Sequence, residues 1–455
     1  MTPYLYKTTD FGVTWESITD ENIKGWCYKM IEDIVNTGLL FLGTEQGLFV
    51  SIDGGEVWSQ FKGDLPNVSV RDLVIQEDQN DLVVASFGRG FYVLDDYTPL
   101  RNLTPETFEA EATIFPVKTA KIFPVAGPIG FGKRGSQGAS FYRADNPPYG
   151  AVVTYHLKEG LESLEKIRRK EEKEKVENDE PVYYPSWDDL REEDREVDPQ
   201  LILTITDEAG DVVRRFTGPG GKGLHRVAWD LRHPYPGPID IGGGRPGMWE
   251  PDRSGPMVMP GTYAVTISKR VRGEESVLAG PVSFDAELLG LNTTAHPDQA
   301  AAAAFRLEAA ELYKAVQGAV RTYRDADNRL KHIRKAVEAT PDLDTALLDE
   351  VDAAAAKLAD LGVKLNGDRT VSSRSEPTTP SISARASGIN WSLQDNTSGP
   401  TRTMRDNLAL ASRLFGPVLA DLTTLVTEDI AALEAKLDEA GAPYTPGRIP
   451  VWSGD

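Results

Sequence analysis

The chain has 455 residues and a mass of 49.8 kDa, which is long enough for two to four domains. Hydrophobic residues make up 40% and charged residues 26%, and no apolar run approaches the ~20 residues that a membrane-spanning helix needs. The net charge of −21 argues against nucleic acid or an anionic membrane as the main partner.

Cysteine and histidine usage excludes several kinds of site. The single cysteine, Cys27, cannot form an intrachain disulfide, and the five histidines show no metal-binding spacing. We therefore expect no metal and no cofactor. The first residues contain no secretory signal, so the chain as written is expected to stay in the cytoplasm.

Two copies of the motif [ST]-x-D-x-G-x-[TV]-W occur near the start of the chain. Their aspartates lie 43 residues apart, about the length of one four-stranded propeller blade. The Asp carboxylate can accept backbone N–H bonds, the Gly allows positive φ, and the Trp covers the turn. We interpret both motifs as structural hairpin turns, formed by Thr8, Asp10, Gly12, Trp15 and by Ser51, Asp53, Gly55, Trp58.

The segments 40–55 and 81–96, together with the two motifs, resemble the closing blades of the BNR/Asp-box propeller proteins. This group includes sortilin-like and WD/YVTN-like proteins that are often labelled glycosyl hydrolases. The resemblance is specific over residues 1–103 and looser beyond them. It implies a β-propeller whose Asp boxes lie on the outer rim, and its members are commonly exported.

Residues 1–103 are predicted to supply the last two to three blades of this propeller. Residues 22–62 provide four strands, and the next blade runs from Val70–Ile75 to an outer strand at Leu100–Leu103. A propeller ring normally needs 4–8 blades, so we expect missing blades upstream or a second chain to complete it.

Residues 104–290 are predicted to form an Ig-like β-sandwich, similar to the module of flagellar hook-capping proteins. Trp229 and Tyr263 are expected in its core. A charged insertion at residues 158–198 is expected to be solvated and partly helical. Residues 240–255 are predicted to be a long loop.

Residues 291–445 are predicted to form a helical bundle. Heptad-like apolar spacing begins at Phe305, continues from Leu347 and resumes from Met404, which predicts three antiparallel helices. Residues 368–401 are expected to be a polar loop. The predicted fold class is thus mainly β with an α C-terminal region.

Catalytic candidates are few. A glycosidase needs two carboxylates ~5–10 Å apart, and the inner strands offer Glu32, Asp33 and Asp72. A sialidase-like site would need an arginine cluster, and the blade region has only Arg71 and Arg89 before residue 100.

Two functions therefore remain open. In the first, the complete propeller binds a protein or glycan, and the sandwich and bundle are accessory modules. In the second, the protein is a sialidase- or glucanase-like glycoside hydrolase with carboxylates on these blades or upstream of them.

Overall fold

The computed structural model describes residues 3–125, 144–241, 254–290, 298–341, 343–394, 396–450 and 452. Strands dominate up to residue 288 and long helices follow from residue 299. The predicted combination of β-sheets with a helical C-terminal region is confirmed at that level. The described residues divide into two compact units, the first drawn from 1–120, 134–230 and 261–286, and the second from 121–133, 231–260 and 287–455.

The first hundred residues form three antiparallel sheets of two, four and three strands, in which each strand pairs with the next along the chain. The strands are β1 (Tyr6–Lys7) and β2 (Glu16–Ser17), then β3 (Cys27–Glu32), β4 (Leu40–Thr44), β5 (Gly47–Ser51) and β6 (Ser59–Phe61), then β7 (Val70–Gln76), β8 (Asp81–Ser86) and β9 (Phe91–Leu94).

Strand β4 lies at the centre of this region and is buried on both faces. Because successive side chains of a strand point to opposite faces, Phe41 joins one apolar cluster while Leu40 and Leu42 join another. The cluster of Phe41 also contains Val70 and Leu82, so it connects the four-stranded sheet to the three-stranded sheet.

The predicted outer strand at Leu100–Leu103 is wrong. The chain forms a 3-10 helix over Thr98–Asn102 instead, with Pro99 in its first turn. The helix places Tyr97 and Arg101 next to Asp33, and these hydrogen bonds override the local preference for a strand.

The second set of strands forms two antiparallel sheets with the orders β10-β12-β15 and β11-β17-β16-β13-β14. A short helix α1 (Pro105–Glu109) precedes them. The strands are β10 (Ala112–Ile114), β11 (Ala120–Ile122), β12 (Ala151–Leu157), β13 (Gln200–Asp207), β14 (Val212–Gly218), β15 (Gly223–Trp229), β16 (Gly261–Val271) and β17 (Glu274–Leu288).

Trp229 is buried between strands of both sheets. Its ring lies 5.2 Å from that of Tyr263 on β16 and 6.2 Å from that of Phe284 on β17, both in edge-to-face geometry. Such aromatic pairs add ~0.5–1.5 kcal/mol beyond area burial. The expectation that Trp229 and Tyr263 belong to the core is confirmed.

The charged insertion folds as two helices without a buried residue, α2 (Leu164–Glu177) and α3 (Trp187–Arg195). The Arg168 guanidinium spans them with a two-point contact to Glu193, at 2.6 and 2.8 Å. The insertion is therefore exposed and partly helical, as expected. Most of the predicted loop at 240–255, residues 242–253, lies outside the described residues.

In the described part of the C-terminal region, four long helical elements share an apolar core, rather than the three predicted. They are α4 (Gln299–Ala339), α5 (Ala346–Asn366), α7 (Ile382–Gln394) and α8 (Arg402–Thr424), the last extended by a π-helical turn (Leu425–Ile430) and α9 (Ala431–Glu439). A short helix α6 (Arg369–Ser372) lies between α5 and α7.

Helix α7 corrects the predicted polar loop at 368–401. Its Ser, Gly and Asn content hid a buried stripe at Ile382, Ala386, Ile389 and Leu393. These residues recur every three or four positions, so burial against neighbouring helices stabilises a segment of low intrinsic helix propensity.

One helical stretch in the described part of the chain, Arg402–Glu439, is long and apolar enough to span a membrane by length and composition alone. It contributes Phe415, Val418, Leu422 and Leu425 to the shared helical core. Packing against the other helices thus accounts for these apolar residues.

Gly43 lies where β4 approaches β7 closely, so adding a side chain there probes the distance between the two strands. A Cβ at this position would lie 2.8 Å from Val70 Cγ1 and 2.9 Å from the Val70 carbonyl oxygen. We expect Gly43→Ala to lower the free energy of unfolding by ~1–3 kcal/mol through overpacking, measured by denaturant unfolding.

Gly261→Ala at the start of β16 is the matched control, because its added Cβ meets nothing within 4 Å. Equal stability of the two variants would contradict the close approach of β4 and β7.

Candidate functional site

The first Asp box is a closed turn held by one carboxylate. Asp10 Oδ1 accepts the N–H groups of Val13 and Thr14 at 3.0 and 2.9 Å, and Oδ2 accepts the Thr14 hydroxyl at 2.7 Å. Thr8 donates its hydroxyl to Asp10 and accepts the Gly12 N–H. The hydrogen bonds from Thr14 lower the pKa of Asp10 to about 2.

The second box repeats this turn. Asp53 Oδ1 accepts the N–H groups of Glu56 and Val57, while Ser51 donates to Asp53 at 2.6 Å and accepts the Gly55 N–H at 2.9 Å. Burial raises the pKa of Asp53, but the hydrogen bonds from Ser51 and Val57 outweigh it, and the net shift is downward.

The tryptophans distinguish the two boxes. Trp58 is fully buried and donates its indole N–H to the Ile18 carbonyl at 2.7 Å, whereas 61% of Trp15 is exposed. The same local motif therefore has a covered and an uncovered copy. Both boxes act as turns and bring no reactive group to a cleft.

Asp33 is the centre of a buried polar network. Its side chain is fully buried, and it accepts Arg101 Nε at 2.8 Å, Arg101 Nη2 at 2.7 Å and the Tyr97 hydroxyl at 2.5 Å. The N–H groups of Val35 and Asn36 donate to the same carboxylate. Five donors occupy the carboxylate, so it has no capacity left for a substrate.

The titration of this network follows from its contacts. Burial raises the pKa of Asp33, but the hydrogen bonds from Arg101 and Tyr97 outweigh it and bring the pKa to about 2. Burial and the hydrogen bond to Asp33 raise the pKa of Tyr97 to about 12. Asp33 thus serves as a structural carboxylate in this network, and a catalytic role for it stays a prediction.

Glu32 and Asp72, the other two candidates, are exposed to solvent. Asp72 Oδ1 lies 3.9 Å from Lys29 Nζ, in a pair that joins the neighbouring strands β7 and β3. The structure therefore separates the three candidates into one buried and two exposed carboxylates.

A cluster of aromatic and charged side chains includes Asp72 and the neighbouring Arg71. The Arg71 guanidinium sits 4.1 Å from the ring centroid of Tyr28 and 5.1 Å from that of Phe87. We call Tyr28, Lys29, Arg71, Asp72 and Phe87 the Arg71 cluster. Phe87 is 68% exposed, so this cation–π arrangement is open to solvent.

Sequence reasoning missed the aromatic partners of Arg71 and the role of Arg101. Tyr28 and Phe87 are distant in sequence from each other, and they meet on one surface because β3 packs against β7 of the next sheet. A signal did exist for Arg101: it lies four residues after Tyr97 in a Pro-containing segment, a spacing that fits one face of a helical turn.

Within the residues that the structure describes, no group of three His, Cys, Asp or Glu side chains is placed to hold a metal ion. No residues that would hold a cofactor stand out there either.

Comparison with known proteins gives little. No known family and no curated protein matches the chain. A solved extracellular domain of a one-component system from B. thetaiotaomicron aligns at 11% identity with a TM-score of 0.16, covering 62% of this chain and 28% of its own. The chain thus spans less than a third of that structure, and the similarity is too low to support an argument.

The two Asp boxes should differ in their contribution to stability. We expect Asp53→Ala to lower the free energy of unfolding by ~1–3 kcal/mol, because it leaves the buried Ser51 hydroxyl without its acceptor. Asp10→Ala should have a smaller effect, because its turn is open to water that can replace the lost bonds. Thermal unfolding of both variants would measure the two stability losses. A larger loss of stability for Asp10→Ala than for Asp53→Ala would contradict this interpretation.

Asp33 should govern acid stability. Because its pKa is lowered to about 2 in the folded protein and is near ~3.9 when unfolded, its contribution is complete above about pH 4 and is lost as pH falls toward 2. We expect Asp33→Asn to destabilise the protein at pH 7 by ~3–5 kcal/mol, since Arg101 is left without its anion.

Asp72→Asn is the control for this variant, since an exposed ion pair contributes at most ~1 kcal/mol. Urea unfolding from pH 7 to pH 2 should show a flatter acid decline for Asp33→Asn. An unchanged pH profile would exclude Asp33 as the titrating group.

Proposed function

We propose that residues 1–103 are part of an Asp-box β-propeller. Two features support this: successive antiparallel sheets in which each strand pairs with the next, and two Asp-box turns with the same hydrogen bonds. Under this proposal, β3 and β7 are the innermost strands of adjacent blades.

The other two modules have an accessory role in the same proposal. An Ig-like sandwich is supported by the two antiparallel sheets that share Trp229, and a helical bundle by the common apolar core of α4, α5, α7 and α8. Both would support or extend the propeller rather than perform chemistry.

The function we propose is binding of a protein ligand, with a glycan as the second choice. The single observation that carries this proposal is the solvent-exposed stack of Arg71 between Tyr28 and Phe87. Tyr, Phe and Arg are enriched at protein interfaces, and their rigid or planar groups lose little conformational entropy on binding.

The charges of the cluster also favour recognition. Arg71 has no carboxylate partner among the described residues, so its stacked guanidinium can pair with a carboxylate of the ligand. Lys29 and Asp72 beside it present one charge of each sign, which can fix the orientation of a partner.

A glycoside hydrolase is the alternative, and it would depend on Glu32 and Asp72, because Asp33 is occupied by structural bonds. Release of reducing sugar by the full chain, abolished in Glu32→Gln or Asp72→Asn, would support it. Carboxylates on blades outside this chain would contribute to such a site.

The binding proposal is tested by Arg71→Ala. A photo-crosslinking residue at position 87 would capture the ligand from a source extract, and the purified ligand would then be titrated by calorimetry. We expect Arg71→Ala to weaken binding at least ~10-fold, which is about 1.4 kcal/mol.

Arg89→Ala is the matched control, because it removes the same charge from an exposed position with no ring contact among the described residues. Equal affinity of Arg71→Ala and the wild type, or an equal loss in both variants, would contradict the proposed role of the cluster.

A further inference from the structure

A cavity of about 280 Å³ lies in the second unit, on a face of α7 and away from the Arg71 cluster in sequence. Its size is just below the ~300–1,000 Å³ typical of sites for drug-sized ligands, so it suits a ligand of a single ring. Its lining residues are all uncharged: Tyr235, Tyr313, Ser387, Gly388, Asn390, Trp391 and Gln394.

Helix α7 presents two different faces. Ile382, Ala386, Ile389 and Leu393 are buried, whereas Ser387, Asn390, Trp391 and Gln394 recur at three- and four-residue spacing and line the cavity. The buried stripe therefore holds the polar and aromatic stripe in a fixed orientation. The Trp391 side chain lines the cavity and remains 63% exposed.

Gly388 leaves room in this face. A Cβ added there would meet nothing within 4 Å, and its backbone is helical. Glycine costs about 1 kcal/mol in a helix relative to alanine. At this position the missing side chain leaves cavity space open between the polar residues.

The polar groups around the cavity form a neutral set of donors and acceptors. The hydroxyls of Tyr235 and Tyr313 lie 3.1 Å apart, and Ser387 Oγ accepts a bond from Gln317 Nε2 at 3.3 Å. These contacts orient the hydroxyls and leave lone pairs free. The Asn390 amide, which can both donate and accept, has no partner among the residues described.

We propose that this cavity binds one neutral sugar ring. The indole face of Trp391 can stack on the apolar C–H face of a pyranose, while Asn390 and the tyrosine hydroxyls bond to its hydroxyl groups. A sugar uses both surfaces at once, because it has C–H groups on its faces and hydroxyls around its rim.

Other ligand classes fit less well. The lining contains no cationic side chain for a phosphate or carboxylate and no carboxylate for an amine. An apolar ligand would leave Asn390 and the two hydroxyls without the bonds that water supplies. The cavity shares no residue with the Arg71 cluster, so this inference does not depend on the proposed binding function.

The test is ligand-observed NMR with the full chain and a panel of methyl glycosides of glucose, galactose, mannose, xylose and N-acetylglucosamine. For so small a ligand we expect a Kd on the order of 1 mM for at least one member. Gly388→Phe should fill the cavity and abolish saturation transfer, and Trp391→Ala should weaken binding at least ~10-fold.

Gly416→Phe on α8 is the matched control, since this helical glycine is also exposed and its added Cβ also meets nothing within 4 Å. It should bind as the wild type does. Circular dichroism would check the fold, and Trp391→Ala serves if Gly388→Phe does not fold.

Three results would overturn the proposal. The first is that no panel member binds the wild type at a ligand concentration ~20-fold above the expected Kd of ~1 mM. The second is that binding persists in both Gly388→Phe and Trp391→Ala, which would place the sugar elsewhere. The third is that dipeptides or nucleosides bind and lose affinity in these variants, whereas no sugar binds. That result would exclude a sugar as the ligand.

Discussion

The buried ion pair between Asp33 and Arg101 joins parts of the chain that are 68 residues apart, and the arrangement of the first two larger sheets depends on it. Asp33 follows β3 at the edge of one sheet, while Arg101 belongs to the 3-10 helix that follows β9 in the next. A buried charge without a partner is strongly destabilising, so each residue constrains the other. Arg101 also donates to Asn80, and its carbonyl accepts from Asn36, which extends the network on both sides.

Apolar packing and this polar network act together in the same place. Tyr97 donates its hydroxyl to Asp33 and packs its ring edge-to-face on Phe41, with centroids 5.2 Å apart. The ring thus belongs to the apolar cluster while its hydroxyl belongs to the ion pair. Gly43, two residues after Phe41 on β4, permits the close approach of β4 to Val70 on β7.

Structural use of Asp33 has a functional consequence. With that carboxylate surrounded by donors, β3 and β7 retain the exposed carboxylates Glu32 and Asp72, and Arg71 next to Asp72 contacts two aromatic rings. Such a surface accords with the proposed binding role, because arginine and aromatic side chains are enriched at protein interfaces. The cavity on α7 is likewise lined by uncharged residues, which accords with the proposed binding of a neutral sugar.

The sequence by itself determined the local structure that short-range chemistry specifies. The Asp-box turns depend on residues within four positions of each aspartate, and most strands from β3 to β9 coincide with short runs of apolar or β-branched residues between turn residues, so both could be predicted. Tertiary structure decided what local patterns leave open. Leu100–Leu103 resembles a strand until Arg101 must reach Asp33, residues 382–394 resemble a loop until their apolar stripe is buried, and Trp15 and Trp58 occupy the same motif with opposite exposure. In each case the deciding contact comes from residues far away in sequence, which no local pattern records.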